Sequence, residues 1–415
     1  MKFILWLSLL VSLQFQAYSQ KTQSLTLVQV DSIFLKNNLL LLAQQYNIEA
    51  QKALVIQAKA YPNPLFTADL NAYDPQNEKA FHVGSTGQKA FAIEQLILLG
   101  GKRKAEIDLA KQNEKLATLE LEDLLRNLQY QLHTSFFQLN RQRNTLAKFN
   151  RQLQLLDTLI VSYDAQAKKG NLPPKDVIRL KAVYFKINNE KSDLASQYFQ
   201  EQQSMQLLLQ MDNYLEPLIS KSEIEQWTAP REFTALLNAA LENRPDLKVA
   251  NESESFALMN VRLQKRLAIP DVAVNTSYDQ RGGAFQNQLN VGLNIPLPLW
   301  NRNQGNIKAA EYSVKSMDVN QQQKLKEVET DVMAAWQNLL LSVSEYQKIR
   351  NYYTDDFDLV FEGVNTNFQK RNISILEFVD FFESYNESLS EFERVKTFLA
   401  NSAMQINYVT ASKIF

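Results

Sequence analysis

VGLNIPLPLWNRNQGNIKAAE, residues 291–311, changes its period part-way along. Up to Ile295 the pattern has the two-residue period of a strand. Leu289, Val291, Leu293 and Ile295 alternate with Gln288, Asn290, Gly292 and Asn294. Pro296 and Pro298 then end the strand, because proline cannot donate to a ladder. After Asn301, Arg302 and Gly305 the chain carries no further proline, and no glycine until Gly363. A strand therefore turns into a long helix within about a dozen residues. A second stretch makes the same transition: EQLILLGGKRKAEIDLA, residues 94–110, bends at Gly100 and Gly101, where glycine's backbone freedom replaces proline.

The two stretches belong to a duplication. Ile97, Leu99, Lys102, Ile107 and Ala110 match Leu297, Leu299, Arg302, Ile307 and Ala310 at an offset of 200. Upstream, Leu35, Asn37, Leu41, Val55 and Pro64 match Leu241, Asn243, Leu247, Val261 and Pro270 at an offset of 206. The unit is far longer than a solenoid repeat of roughly 20–50 residues. Expected boundaries are a first repeat at 20–230 and a second at 231–415, each running helix, strand pair, long helix, turn, helix. DNYLEPLISKSEIEQWTAPR, residues 212–231, breaks the helical pattern at Pro217 and Pro230 and joins the copies, with Trp227 as a packing anchor.

Each copy offers two amphipathic strands. In the first, Phe66, Ala68, Leu70 and Ala72 oppose Thr67, Asp69 and Asn71; in the second, Val272 and Val274 oppose Asn275 and Ser277. One face suits lipid or a core, and the other a wet lumen. Four strands cannot close a barrel, since small barrels use about eight. Several chains must pool their strands, and a trimer would supply twelve. The fold class expected is mainly α with a small transmembrane β part. Between Gly101 and Gly170 there is neither glycine nor proline, and a helix of that span would be about 100 Å long. Leu121, Leu125, Leu128, Leu132, Phe136 and Leu139 form a stripe at spacings of three and four that needs neighbouring helices to bury it.

The N-terminus, with Lys2, an apolar run and small residues at Ala17 and Ser19, reads as a secretory signal over 1–19. Cysteine is absent, which excludes disulfides and thiolate metal sites. With 44 basic and 45 acidic side chains and no basic stripe, nucleic acid is not an expected partner. No nucleophile elbow, phosphate loop or HExxH helix is present, so neither catalysis nor a cofactor is expected. His82 and His133 are too far apart in the sequence to form a local metal cluster, and each reads as solvated. The methionines are scattered, as core gap-fillers are. Phe415 resembles the terminal aromatic of outer membrane barrels, but the strands here lie inside the chain.

Taken together, the residues from the signal onward resemble the TolC-type outer membrane efflux channels. Residues 291–311 resemble most specifically the strand-to-helix junction of the outer membrane components of heavy-metal efflux systems, and residues 94–110 the family's first-copy junction. The resemblance implies a homotrimer with a 12-stranded barrel in outer membrane lipid and a coiled-coil-like helical barrel in the periplasm. It implies the passive exit duct of a tripartite system, served by an inner-membrane RND-type pump and a periplasmic adaptor. It also implies acidic residues ringing the periplasmic entrance, matched here by Glu377 and Asp380 in QKRNISILEFVDFFES (369–384) and by Asp176 in KKGNLPPKDVIRLKA (168–182). Gly170, Lys370, Arg371 and Asn372 occupy the turns where the adaptor docks. Superposing Gly170 on Arg371 pairs Asp176 with Glu377 and Val177 with Phe378. The chain departs from the family at Arg371, where glycine is usual, and at Ile373, where some members carry a locking arginine. Lys370 or Arg371 is a substitute for that lock, and Asn372 is the expected left-handed residue, since asparagine tolerates that conformation. A periplasmic adaptor would have one hairpin and compact strand-rich domains, and a fibrous coiled coil would need no amphipathic strands. Within the channel class, metal, drug and protein cargoes remain open.

Overall fold

The computed structural model of the chain describes residues 21–282, 284–352 and 356–415. The signal expected over 1–19 lies outside them. Ten helices and eight strands are described, in the order β1 (Thr22–Thr26), α1 (Leu27–Asn37), α2 (Leu39–Lys59), β2 (Leu65–Leu70), β3 (Tyr73–Asp74), β4 (Lys79–Ala80), β5 (Gln88–Ile97), α3 (Lys102–Lys168), α4 (Pro174–Leu209), β6 (Tyr214–Leu218), α5 (Lys221–Gln226), α6 (Phe233–Asn243), α7 (Pro245–Leu267), β7 (Val272–Arg281), β8 (Phe285–Asn294), α8 (Gln304–Tyr352), α9 (Asp356–Gln369) and α10 (Ile375–Thr410). The chain forms two compact units, and each draws on both halves of the sequence. Among the described residues, one comprises those up to 41, 124–243 and 329–415, the other those of 42–123 and 244–328.

The second unit holds one four-stranded antiparallel sheet, ordered β2-β5-β7-β8. Strands paired in register share a face. Phe66 opposite Ile93, Ile93 opposite Thr276 and Thr276 opposite Val291 trace one side, which also carries Phe91, Tyr278, Leu289 and Leu293. Phe66, Phe91 and Tyr278 stack on it, with ring centroids 6.4 Å apart at each step. Thr67, Asp69, Glu94, Asn275, Ser277, Asn290 and Asn294 occupy the other side, where Asn294 donates to Glu94 over 3.0 Å. The alternation in the sequence thus becomes two chemically distinct faces. Ile295 falls just beyond β8, and Ala72 beyond β2. The outer strands β2 and β8 each have one free backbone edge, and Leu289, Val291 and Leu293 are exposed.

The first unit is helical apart from a parallel pair, β1 with β6, that the sequence pattern does not reveal. Pro217 sits within β6, where a two-stranded ribbon leaves its nitrogen free of a required partner. The fully buried Gln202 holds this ribbon, donating to the Leu215 carbonyl over 2.7 Å and accepting its N–H over 2.9 Å. Trp227 is buried edge-on to Phe137, with centroids 5.1 Å apart. Of the leucine stripe on α3, Leu128, Leu132, Phe136 and Leu139 are buried, whereas Leu121 and Leu125 are half-buried. The terminal Phe415 is tied to the helices: Arg231 lies over its ring at 4.6 Å, and Asn407 accepts its N–H over 3.0 Å.

Candidate functional site

Two turns in the first unit are built alike. Helix α3 ends on Gly170, with φ +76°, whose N–H donates to Ala167 O while Asn171 N–H reaches back to Gln166 O, both over 3.0 Å. Helix α9 ends on Arg371, with φ +61°, whose N–H donates to Phe368 O over 3.0 Å while Asn372 N–H reaches Asn367 O over 2.9 Å. Both are Schellman endings, in which the first residue past the helix takes the left-handed conformation. The side chains repeat too. Asn171 donates to Gln166 over 2.9 Å, and Asn372 to Asn367 over 3.0 Å. The alignment of Gly170 with Arg371 therefore holds atom by atom. The expectation for Asn372 does not: Arg371 itself adopts the left-handed conformation. The hydrogen-bond pattern fixes that conformation one residue earlier, and Asn372 serves by its side chain.

The core beneath both turns combines Phe149, Leu153, Leu156 and Leu159 of α3, Leu180, Val183 and Ile187 of α4, Phe368 of α9, and Phe378 and Phe382 of α10. Phe368 stacks on Phe378 with centroids 4.1 Å apart and planes at 10°. Val177 and Phe378, which the alignment pairs, are both buried. Ile373 packs against this core instead of offering a charge. Lys370 and Arg371 are exposed and form no ion pair among the described residues.

The acidic residues differ in setting. Glu377 closes a capping box at the start of α10: its carboxylate accepts the Ser374 N–H over 2.7 Å, and its own N–H donates to the Ser374 hydroxyl over 3.2 Å. Those bonds hold its carboxyl below the usual glutamate range. Asp380, one turn on, is exposed. Asp176 lies in the first turn of α4, where a carboxylate complements the helix dipole. The structure brings it and Arg371 to the half-buried Tyr163: burial pushes the phenol up, Arg371 opposes that, and Asp176 adds to it. The Ser374 cap was legible as S-x-x-E ahead of an apolar run.

In the second unit the two strand-to-helix junctions are solved differently. Gly100 (φ +66°) and Gly101 (φ +71°) are left-handed, and a Cβ on Gly100 would come within 2.5 Å of Ile269 Cδ1. Arg266 donates to Gly101 O over 2.7 Å. The buried Lys102 pairs with Asp271 over 2.8 Å, and Asp271 also accepts the Leu99 N–H over 2.9 Å. At the other junction Asn303 (φ +61°) supplies the left-handed residue and donates to Gln264 O over 2.8 Å. Asn301 accepts the Asn303 N–H over 3.0 Å, and Arg302 Nε donates to Pro298 O over 3.2 Å. Gly305 stands in the first turn of α8 with open space around it. Asp271, Arg266 and Asn303 act across the fold, and no local pattern marks them.

Residues 236–352 match the outer membrane efflux protein family. A relative from Cupriavidus metallidurans, the cobalt-zinc-cadmium resistance protein CzcC, is 24% identical over 362 residues, covering 86% of this chain and 82% of the relative. The fold matches the crystal structure of CusC with a TM-score of 0.72 at 15% identity, covering 93% of this chain and 92% of that one. It matches the Campylobacter jejuni CmeC outer membrane channel with a TM-score of 0.73 at 14% identity, covering 93% and 86%. The family match thus rests on residues 236–352, and the likeness in fold runs along 93% of the chain.

The amphipathic sheet and the paired helical turns are the two distinctive parts of this fold. Among the described residues no group of three or more histidine, aspartate or glutamate side chains could hold a metal ion. His82 is not solvated, contrary to expectation, and His133 is half-buried. His82 is buried between Asp74, at 2.7 Å, and Thr86, at 3.0 Å. His133 meets Asp31 at 2.7 Å. Each ring gains an acceptor that the linear sequence places out of reach or beyond a turn. Both histidines tie separate segments of the chain together.

Proposed function

We propose that this outer membrane efflux protein is the passive exit duct of a three-component assembly and that its cargo is metal cations. The observation that carries the cargo is the similarity to a cobalt-zinc-cadmium resistance protein along 86% of the chain. It is supported by the junction at 291–311, which resembles those of heavy-metal efflux channels. Three chains would pool the sheets into one barrel, the free edge of β8 pairing with that of β2 in the next copy. An RND-type pump would supply the energy, and a periplasmic adaptor would dock on the turns at Gly170, Lys370, Arg371 and Asn372. The two repeats, 20–230 and 231–415, would contribute one turn each, and the duct catalyses no reaction.

Three-fold symmetry would gather Glu377 and Asp380 into two rings of three carboxylates, with Asp176 beside them. Rings of carboxylates select cations. Glu377 suits a ring that stays charged, because its cap favours ionisation, whereas crowding raises the pKa values of neighbouring carboxylates.

The test is growth of a strain lacking the channel on a panel of cobalt, zinc, cadmium, dyes and detergents, with and without the restored gene. Restored metal tolerance is expected. Sensitivity confined to dyes and detergents would assign drug export, and unchanged sensitivity with loss of a secreted protein would assign protein export.

A further inference from the structure

Past the end of β8 the apolar side chains do not stop. Leu289, Val291 and Leu293 are 73%, 74% and 63% exposed, and beyond them Leu297, Leu299 and Trp300 are 71%, 60% and 87% exposed. A neighbouring strand would use the backbone edge of β8, whereas these strand side chains stand perpendicular to the sheet and would stay uncovered. The apolar face of the strand is thus continuous with Leu297, Leu299 and Trp300.

Irregular backbone exposed to lipid does not occur inside the hydrocarbon, because its polar groups would go unpaired. In this segment Pro296 and Pro298 have no N–H, and the carbonyls are partly met: Leu297 O by Leu299 N–H at 2.9 Å, Pro298 O by Arg302 at 3.2 Å, Trp300 O by Gln304 at 3.3 Å. Such a segment fits the bilayer interface, where aromatic residues present an apolar body and a polar tip. The strand register puts a second aromatic at the same end of the sheet. Tyr61, 72% exposed, precedes β2, whose Leu65 pairs with Glu94 near the end of β5. The Arg103 guanidinium lies 3.8 Å over its ring. Arg302, exposed, directly follows the Trp300 segment.

We propose that residues 295–300 lie in the headgroup zone of the leaflet at this end of the sheet. Trp300 and Tyr61 are the aromatic anchors, and Arg103 and Arg302 face lipid phosphates. The proposal rests on the outer-membrane channel reading and adds which residues meet the phospholipid surface.

The test reconstitutes the full protein in vesicles of phosphatidylethanolamine and phosphatidylglycerol. These carry phosphatidylcholine brominated either near the headgroup or near the chain ends. Subtracting the fluorescence of Trp300→Phe from that of the unaltered protein isolates Trp300 from Trp227 and Trp336. The expected result is blue-shifted Trp300 emission, lost mainly to the shallow bromines and shielded from aqueous iodide. Iodide quenching without bromine quenching would place Trp300 in water and overturn the proposal. Protection from both would place it under a protein partner and overturn it equally. Val291→Trp in the Trp300→Phe background reads the strand itself, and loss to the deep bromines is expected. If that probe too escapes every bromine, the sheet is not in lipid and the channel reading falls as well. If only Trp300 escapes, the channel reading stands without the anchor.

Discussion

The left-handed residue at each turn separates what the chain requires from what it tolerates. A side chain in that conformation costs roughly 1–2 kcal/mol, a cost glycine avoids. Gly170→Ala is therefore expected to weaken the first turn by about 1 kcal/mol, and Arg371→Gly to strengthen the second by a similar or smaller amount. Amide exchange across residues 164–182 and 364–384 reads both. The capping box gives a second expectation. Because the folded pKa of Glu377 is lowered, its contribution is present above the ordinary glutamate range and lost as pH falls through the lowered value. Protection of the first turn of α10 should fade in acid. Ser374→Ala should remove about 1 kcal/mol at neutral pH and flatten that pH dependence. An acid profile unchanged in Ser374→Ala would show that the cap is not its source.

At the scale of elements, a strand and a helix are joined by one buried ion pair. Asp271 precedes β7, and Lys102 opens α3 with its side chain almost fully buried. Asp271→Ala leaves that ammonium unpaired and strips the acceptor from Leu99, a loss of about 3–5 kcal/mol. The midpoint of urea unfolding in detergent should fall accordingly, and Lys102→Met in the same chain should restore part of it. A neutral Asp271→Ala would mean that water reaches Lys102. The strands and long helices were legible because their periods, two and close to 3.6, are local properties. The pairing of β1 with β6 was not, because Thr22–Thr26 and Tyr214–Leu218 carry too little alternation to declare themselves and pair across almost 200 residues of sequence.

In the proposed channel, charge is distributed over two places. On the polar sheet face Asp69, Glu94 and Asp279 share a side with Arg281, which pairs with Asp279 over 3.1 Å. Asp69 and Glu94 are left as a negative excess, which three copies would multiply around a shared lumen. Asp69→Asn with Glu94→Gln is expected to shift the reversal potential in a salt gradient toward zero, because cation preference falls. Glu377→Ala with Asp380→Ala should instead weaken block by multivalent cations added from the side of the turns. If the two double variants give the same change, sheet and turns do not act as separate filters.

The sequence by itself determined the repeats, the strand-to-helix transitions, the two faces of the sheet and the correspondence of the two turns. These follow from periodicity and from the backbone limits of glycine and proline, which act over a few residues. The Ser374 cap was within its reach as well. Only the tertiary structure decided that Arg371 takes the left-handed conformation, that His82 and His133 are held by Asp74 and Asp31, and that Lys102 depends on Asp271. Those outcomes depend on which side chains meet across long separations. Burial and hydrogen bonding reward such meetings only once the elements have packed.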